Sequence, residues 1–219
     1  MEIAVVSLSN RAVISDITWP VMQKYCSKHG YSFTTIKDTL DVTRHPAWSK
    51  LLAIRMALEQ KSADMVVWID DDQYITNPSM TLDSLVENTP FDRILMTEDS
   101  GPWSAFNSGI MFCKNTDEVR DHFDYLYDLA EKYPELERFY QEPMWEQSGM
   151  DFFHKNIDDK FYRIVPMYPI QGFVGRFPAD QGKEGLWFPG VFTAHVPGRD
   201  MSLRLIQLKS LAEINNWED

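Results

Sequence analysis

Three consecutive aspartates, Asp70, Asp71 and Asp72, end the apolar run Met65–Ile69 in VVWIDDDQYITNP, residues 66–78. Adjacent carboxylates repel one another, and each is better placed against solvent or a cation. A hard divalent ion removes that repulsion and also accepts oxygens from a diphosphate. In an extended segment Asp70 and Asp72 point to one side and Asp71 to the other. The same residues would also serve as a solvated acidic turn at a strand end, since short acidic motifs are common. The buried run before them and Tyr74 and Ile75 after them favour the metal site. The chain as a whole is acidic, with 33 Asp and Glu against 21 Lys and Arg and a formal charge of −12. Nucleic acid is therefore excluded as a partner, because it demands a basic footprint. An anionic ligand would need a cation or a few gathered Lys and Arg residues.

The elements that must position these carboxylates follow from the apolar spacing. Glu2–Leu8 reads as a buried strand, and Ser9, Asn10 and Arg11 as a loop. Ile17–His29 has helical spacing, with Gly30 as its stop. Tyr31–Ile36 alternates as a strand, and Trp48–Gln60 is an amphipathic helix. Met65–Ile69 is a buried strand delivering the aspartates at its C-terminal edge. Thr81–Glu87 reads as a short helix, Ile94–Thr97 and Ala105–Cys113 as strands, and Asp117–Lys132 as one helix. Gln147–His154 reads as the last turns of another helix, and the chain after Tyr162 as loops and short strands. Strands alternating with helices predict an α/β fold with a mainly parallel sheet. With no linker in view, residues 1–219 are expected to form a single domain, roughly its last 15–20 residues a C-terminal helix. Cys26 and Cys113 fit no zinc spacing, and reduced, buried thiols in a reducing compartment are expected. No stretch approaches the ~20 apolar residues of a membrane span, and the N-terminus does not read as a secretory signal. A cytoplasmic or otherwise soluble chain, of bacterial or viral origin, is the expectation.

HPAWSKLLAIRMAL followed by VVWIDDDQYITNP resembles the sugar-nucleotide transferases of the GT-A (Rossmann-like) fold. More narrowly, it is similar to the fungal galactosyl- and mannosyltransferase and plant xyloglucan xylosyltransferase family. Phe106-Asn107-Ser108-Gly109, Trp145-Glu146-Gln147, Tyr168-Pro169-Ile170-Gln171 and Phe192-Thr193-Ala194-His195-Val196-Pro197-Gly198 follow in that family's order. The resemblance implies a metal held by Asp70, Asp72 and the distant His195, with Mn²⁺ expected and Mg²⁺ the alternative. It implies catalytic roles for Glu146, Gln147 and Asn107 near the transferred sugar, with Glu146 standing where the family usually has Asp. It implies that Asp70 and Asp71, with Ser9 and Arg11 of the first loop, Lys50, and Arg199 after the histidine, border the nucleotide and diphosphate. Ser7 is a further candidate beside the base. Trp103, Trp145, Trp187 and Phe188, in predicted loops, suit stacking on sugar rings, although covering the sheet is the simpler use of each.

The implied reaction moves a sugar from a nucleoside diphosphate sugar, UDP favoured over GDP, to a glycan hydroxyl, with retention of anomeric configuration. Two other readings use the same aspartates. One is a two-metal phosphohydrolase or nucleotidyltransferase, but no Gly-rich phosphate loop of the form GxxxxGK[ST] is present. The other is a non-catalytic glycan-binding module with a structural ion. Strict dependence of sugar-nucleotide binding on the metal separates this last reading from glycosyl transfer.

Overall fold

The computed structural model describes residues 1–101, 104–175, 186–198 and 200–215. The chain begins with β1 (Ile3–Ser9), α1 (Ala12–His29) and β2 (Ser32–Lys37), then α2 (Ser49–Glu59) and β3 (Met65–Ile69). β4 (Gln73–Ile75), α3 (Leu82–Val86), β5 (Ile94–Thr97) and β6 (Asn107–Lys114) follow. α4 (Asp117–Tyr127), α5 (Leu129–Lys132), α6 (Trp145–Asn156), β7 (Tyr162–Val165), β8 (Gln171–Phe173), β9 (Thr193–His195) and α7 (Met201–Ile214) complete it. Six strands make one sheet in the order β2-β1-β3-β6-β5-β7, and β4-β9-β8 make a second. In the large sheet β6 pairs antiparallel with both β3 and β5, while the other pairings are parallel. The mainly parallel sheet holds, with one reversed strand that alternation alone does not reveal.

Period-two alternation sends the side chains of β3 to opposite faces of this sheet. Val66 and Trp68 pack with Leu51, Ile54 and Leu58 of α2, Phe123 of α4 and Met150 of α6. Met65, Val67 and Ile69 pack with Trp19, Met22 and Tyr25 of α1 and Leu82 of α3. Helices therefore cover both faces, which is why β3 reads as a continuous apolar run. A third cluster joins Tyr74 and Ala194 of the small sheet, and Val196 just after it, to Ile14 of α1 and to Leu208 and Leu211 of α7. That packing fixes the small sheet, and α7 behind it, at the carboxyl end of β3.

Local signals set most of the helix ends. Gly30 closes α1 at φ 75°, a left-handed position glycine occupies without strain. Thr81 and Thr116 cap α3 and α4 through their hydroxyls. Some expectations shift. α1 starts at Ala12, five residues before Ile17, and the helix expected over 117–132 breaks at Asp128 into α4 and α5. α6 is a full helix from Trp145 rather than the last turns of one. No helix among the described residues is long and apolar enough to cross a membrane.

Candidate functional site

The backbone amide of Asp70 donates to Gly109 O (2.8 Å), the last ladder bond of β3. The chain then turns, with Gln73 N donating to Asp70 O (3.1 Å). The aspartates thus lie on a turn and not on an extended segment. The turn still sorts their side chains as alternation would. Asp71 swings toward the β1–α1 loop, accepting from Ser9 Oγ and from both Nε and Nη2 of Arg11. Thr18 of α1 fixes the turn by donating to Asp71 O (2.7 Å). Asp70 and Asp72 face the other way, toward His195.

His195 arrives through register. β4 and β9 pair with Gln73 opposite His195, and Val196 N donates to Asp72 O (3.1 Å). His195 Nε2 lies 3.3 Å from Asp72 Oδ1 and 4.0 Å from Asp70 Oδ2. One atom from each of the three side chains falls within 4.8 Å of the others. Gly109 makes room for the ring, since a Cβ there would stand 2.4 Å from His195 Cε1 and 2.7 Å from Gln73 Nε2. Behind the ring, Thr193 Oγ1 donates to Gln73 Oε1 (2.7 Å) and Gln73 Nε2 to Gln171 Oε1 (3.1 Å). These amides hold the small sheet in register with the turn.

Carboxylates crowded at the end of a buried strand need cations, and the fold supplies two guanidinia. Arg11 Nη2 and Arg204 Nη1 each lie 3.5 Å from Asp72 Oδ2. Burial opposes the Asp72 charge, but His195, Arg11 and Lys50 outweigh it and hold that carboxyl below its usual range. Burial and the Asp72 charge push Asp71 up, to about 6, against the pull of Arg11 and Ser9. For Arg11 itself, burial is outweighed by Asp72 and Asp71, which raise its pKa.

A second wall faces this one across the cleft. Lys50 Nζ, only 5% exposed on α2, lies 3.0 Å from Asp70 Oδ1 and 2.8 Å from Glu146 Oε1. It also donates to Ser108 O at 3.1 Å. Burial opposes the ammonium, and Asp70 and Glu146 more than restore it. Trp68 Nε1 donates to Asp70 Oδ1 (2.7 Å). Ser108 Oγ donates to Glu146 Oε1 (2.9 Å), and Ser108 N to Gln147 Oε1 (3.0 Å). Gln147 Nε2 reaches Asp99 Oδ2 at 3.2 Å, and Gly109 N donates to Asn107 Oδ1 at 2.9 Å. Glu146 and Gln147 occupy the first turn of α6, entered through Met144 and Trp145 at φ 74° and 34°. Such left-handed non-glycine residues are strained, and they aim Glu146 inward while stacking Trp145 on His45 at 3.9 Å.

The two walls enclose a cleft of about 490 Å³. Of the residues expected at the site, Ser9, Arg11, Lys50, Asp70, Asp71, Asp72, Asn107, Glu146, Gln147 and His195 all line it. Ser7 instead accepts from Trp19 Nε1 beneath α1. Arg199 and Trp103 lie outside the described residues. Ser108 and Gln171 stand in the family motifs but without an expected role, and Arg204 and the amide of Gln73 were not expected. Arg204 left a weaker signal: it shares a helical face with Leu208 and Leu211, where an arginine requires an anionic partner.

The donors present fit a divalent cation. Asp72 Oδ1 and both ring nitrogens of His195 are buried without hydrogen-bond partners. Two carboxylates and an imidazole form an oxygen-and-nitrogen set that suits Mn²⁺ and, with less preference for the imidazole, Mg²⁺.

Comparison with known proteins adds three findings. Residues 22–101 match the galactosyl transferase GMA12/MNN10 family, a stretch that holds Lys50 and Asp70 to Asp72 but ends before Asn107. No curated protein matches the sequence. Among solved structures, the chain is similar to a glycosyltransferase involved in glycosylation of the major capsid of PBCV-1. That likeness has 17% identity and a TM-score of 0.74 over 96% of this chain and 100% of that one. It is similar to galactosyltransferase LgtC, solved with donor and acceptor sugar analogs, at 11% identity and TM-score 0.56, over 100% and 98% of the two chains. Mouse xyloside xylosyltransferase 1 gives 9% and 0.53 over 90% and 97%. At these identities the likeness is one of fold.

Proposed function

We propose that this chain, which has the GT-A fold of glycosyltransferases and a segment matching the GMA12/MNN10 family, transfers a sugar from a nucleoside diphosphate sugar to a glycan hydroxyl. UDP is the favoured nucleotide, and anomeric configuration is retained. The observation that carries the reading is the cluster of Asp70, Asp72 and His195 on the cleft, with Asp72 Oδ1 and the His195 nitrogens buried and without a hydrogen-bond partner. A divalent cation there, Mn²⁺ by preference, supplies a Lewis acid for the charge that develops on the diphosphate.

The chain's own residues do the rest. Ser9 and Arg11 act through Asp71, drawing its carboxylate away so that Asp70 and Asp72 alone face His195. Lys50 acts through Asp70 and Glu146, holding both in place. Glu146, fixed by Lys50 and Ser108, lines the cleft and opposes the positive charge that builds on the anomeric carbon. Asn107 lines the same wall, and Gln147 holds the Ser108 backbone. The departing phosphate oxygen takes the proton of the acceptor hydroxyl, so retention needs no separate base. Arg199 remains a candidate for the diphosphate on sequence grounds.

Calorimetric titration of UDP and GDP, with and without Mn²⁺, tests this on the wild type and on Asp72→Ala. Metal-dependent binding of one nucleotide, abolished by the substitution, is the expected result. Nucleotide binding that ignores the metal, or no binding at all, overturns it.

A further inference from the structure

Among the described residues, two of the cations that the sequence points to line the cleft, and both have little left to give. Arg11 is engaged by both Nε and Nη2 on Asp71 and touches Asp72 as well. Lys50 divides its ammonium among Asp70, Glu146 and Ser108. Arg204 differs. It is 6% exposed, yet among the described residues its ion pair is a single contact of 3.5 Å from Nη1 to Asp72 Oδ2. Its Nε is buried without any hydrogen-bond partner. A guanidinium carries five donors in a planar fork, and burying one with a donor such as Nε idle is unfavourable unless something else uses it.

We propose that Arg204 is a second grip on the donor's diphosphate, parked against Asp72 until that anion arrives. This rests on the donor-site reading above and names a residue that reading does not need. The placement supports it in three ways. Asp72 Oδ2 is shared with Arg11, so Arg204 can turn away without leaving that oxygen bare. Asp72 Oδ1, on the His195 side, is untouched by either arginine, so a cation and Arg204 do not compete for one atom. The backbone of α7 is fixed, with Asp200 capping Ser202 N at 2.9 Å and Leu208 and Leu211 packed beneath. Only the Arg204 side chain has to move. A fork of this shape matches two phosphate oxygens at once, which an ammonium cannot do.

The test uses inorganic pyrophosphate, which carries the diphosphate without base or sugar, and Mn²⁺ alone as a second ligand. Calorimetry is run on the wild type, on Arg204→Met, which keeps the aliphatic stem, and on Arg204→Lys. In Arg204→Met, pyrophosphate affinity at saturating Mn²⁺ should fall about tenfold to a hundredfold. Affinity for Mn²⁺ alone should hold or rise, because a positive charge beside Asp72 has gone. Arg204→Lys should recover part of the pyrophosphate affinity. Opposite movement of the two ligands is not what a merely structural arginine would give. Should both affinities fall together, or should pyrophosphate binding stay at the wild-type value, the inference is overturned and the donor-site reading stands. If the wild type itself fails to bind pyrophosphate with Mn²⁺, both are overturned. If Arg204→Met does not fold, Arg204→Lys decides alone: pyrophosphate affinity at or above wild type overturns the inference, and a fall with Mn²⁺ affinity preserved supports it.

Discussion

The two walls of the cleft solve the same problem in opposite ways. Each buries carboxylates beside basic groups, but on the Lys50–Glu146 side nearly every donor and acceptor is spoken for. On the Asp72–His195 side, Asp72 Oδ1, both His195 nitrogens and Arg204 Nε are buried without a hydrogen bond. A closed network fixes geometry, and its members lose stability when one is removed. An open one holds desolvated groups at the ready and gains free energy when a ligand completes it. The first wall is therefore a frame and the second a receptor, and substitutions on the two sides should register in different measurements.

Lys50→Met tests the frame and should have the largest effect. It leaves Glu146 buried at 3% exposure with no counterion, for a loss of about 3–5 kcal/mol in urea denaturation. Adding Glu146→Gln should restore much of that, since the stranded charge is what destabilises. A single substitution that unfolds no more easily than wild type would show that this wall is not a closed network. Asp72→Asn tests the receptor. Nucleotide affinity in the presence of Mn²⁺ should fall by more than about a hundredfold, roughly 2.7 kcal/mol or more. Its loss of folding stability should be smaller than that of Lys50→Met. If stability and not binding takes the greater loss, the assignment of the two walls is reversed.

Gly109→Ala lies at the seam. Its Cβ would meet His195 Cε1 at 2.4 Å, so the ring must shift or β6 must give way. Overpacking of this kind should cost about 1–3 kcal/mol of stability and weaken Mn²⁺ binding at the same time. Isothermal titration with Mn²⁺ checks this, and unchanged affinity would mean that the position of His195 is not what holds the ion.

How much of this was legible in the sequence depends on how locally each feature is encoded. The run from Met65 to Asp72 carries strand, burial and carboxylates in one continuous stretch, and the strand and its burial are found as read, with the carboxylates just beyond it. The helices α1 and α2 are likewise written in local spacing and a glycine stop. His195 was reachable only through the order of motifs, because its proximity to Asp72 comes from a three-residue pairing between β4 and β9. β4 itself is too short for alternation to register, and the reversal of β6 leaves no trace in side-chain periodicity. The Asp70 turn was misjudged as extended, since the bond from Gln73 N to Asp70 O depends on where Gly109 ends the ladder. Arg204 was missed for a related reason. Its helix is apolar on several sides, with Leu203 and Ile206 exposed, so the buried face does not stand out.

A buried histidine away from both walls sharpens the contrast in a last way. His122 of α4 packs among Phe153, Phe161 and Tyr162, with Nε2 2.7 Å from Tyr162 Oη. It faces no carboxylate partner there, and burial, with the nearby Arg93 charge, pushes its pKa down from 6.5 to about 3. The unfolded chain takes up a proton on this ring below pH 6.5, whereas the folded chain does not until about pH 3. Its contribution is therefore fully present above pH 6.5 and is lost as pH falls through that window, at about 1.4 kcal/mol per unit. His122→Gln keeps a hydrogen-bonding group against Tyr162 and removes the titration. The difference in unfolding free energy between the two proteins should narrow by about 1.4 kcal/mol for each pH unit from 6 to 4. Parallel curves over that range would mean that His122 is protonated in the folded chain, and that the aromatic cluster is less sealed than its packing indicates.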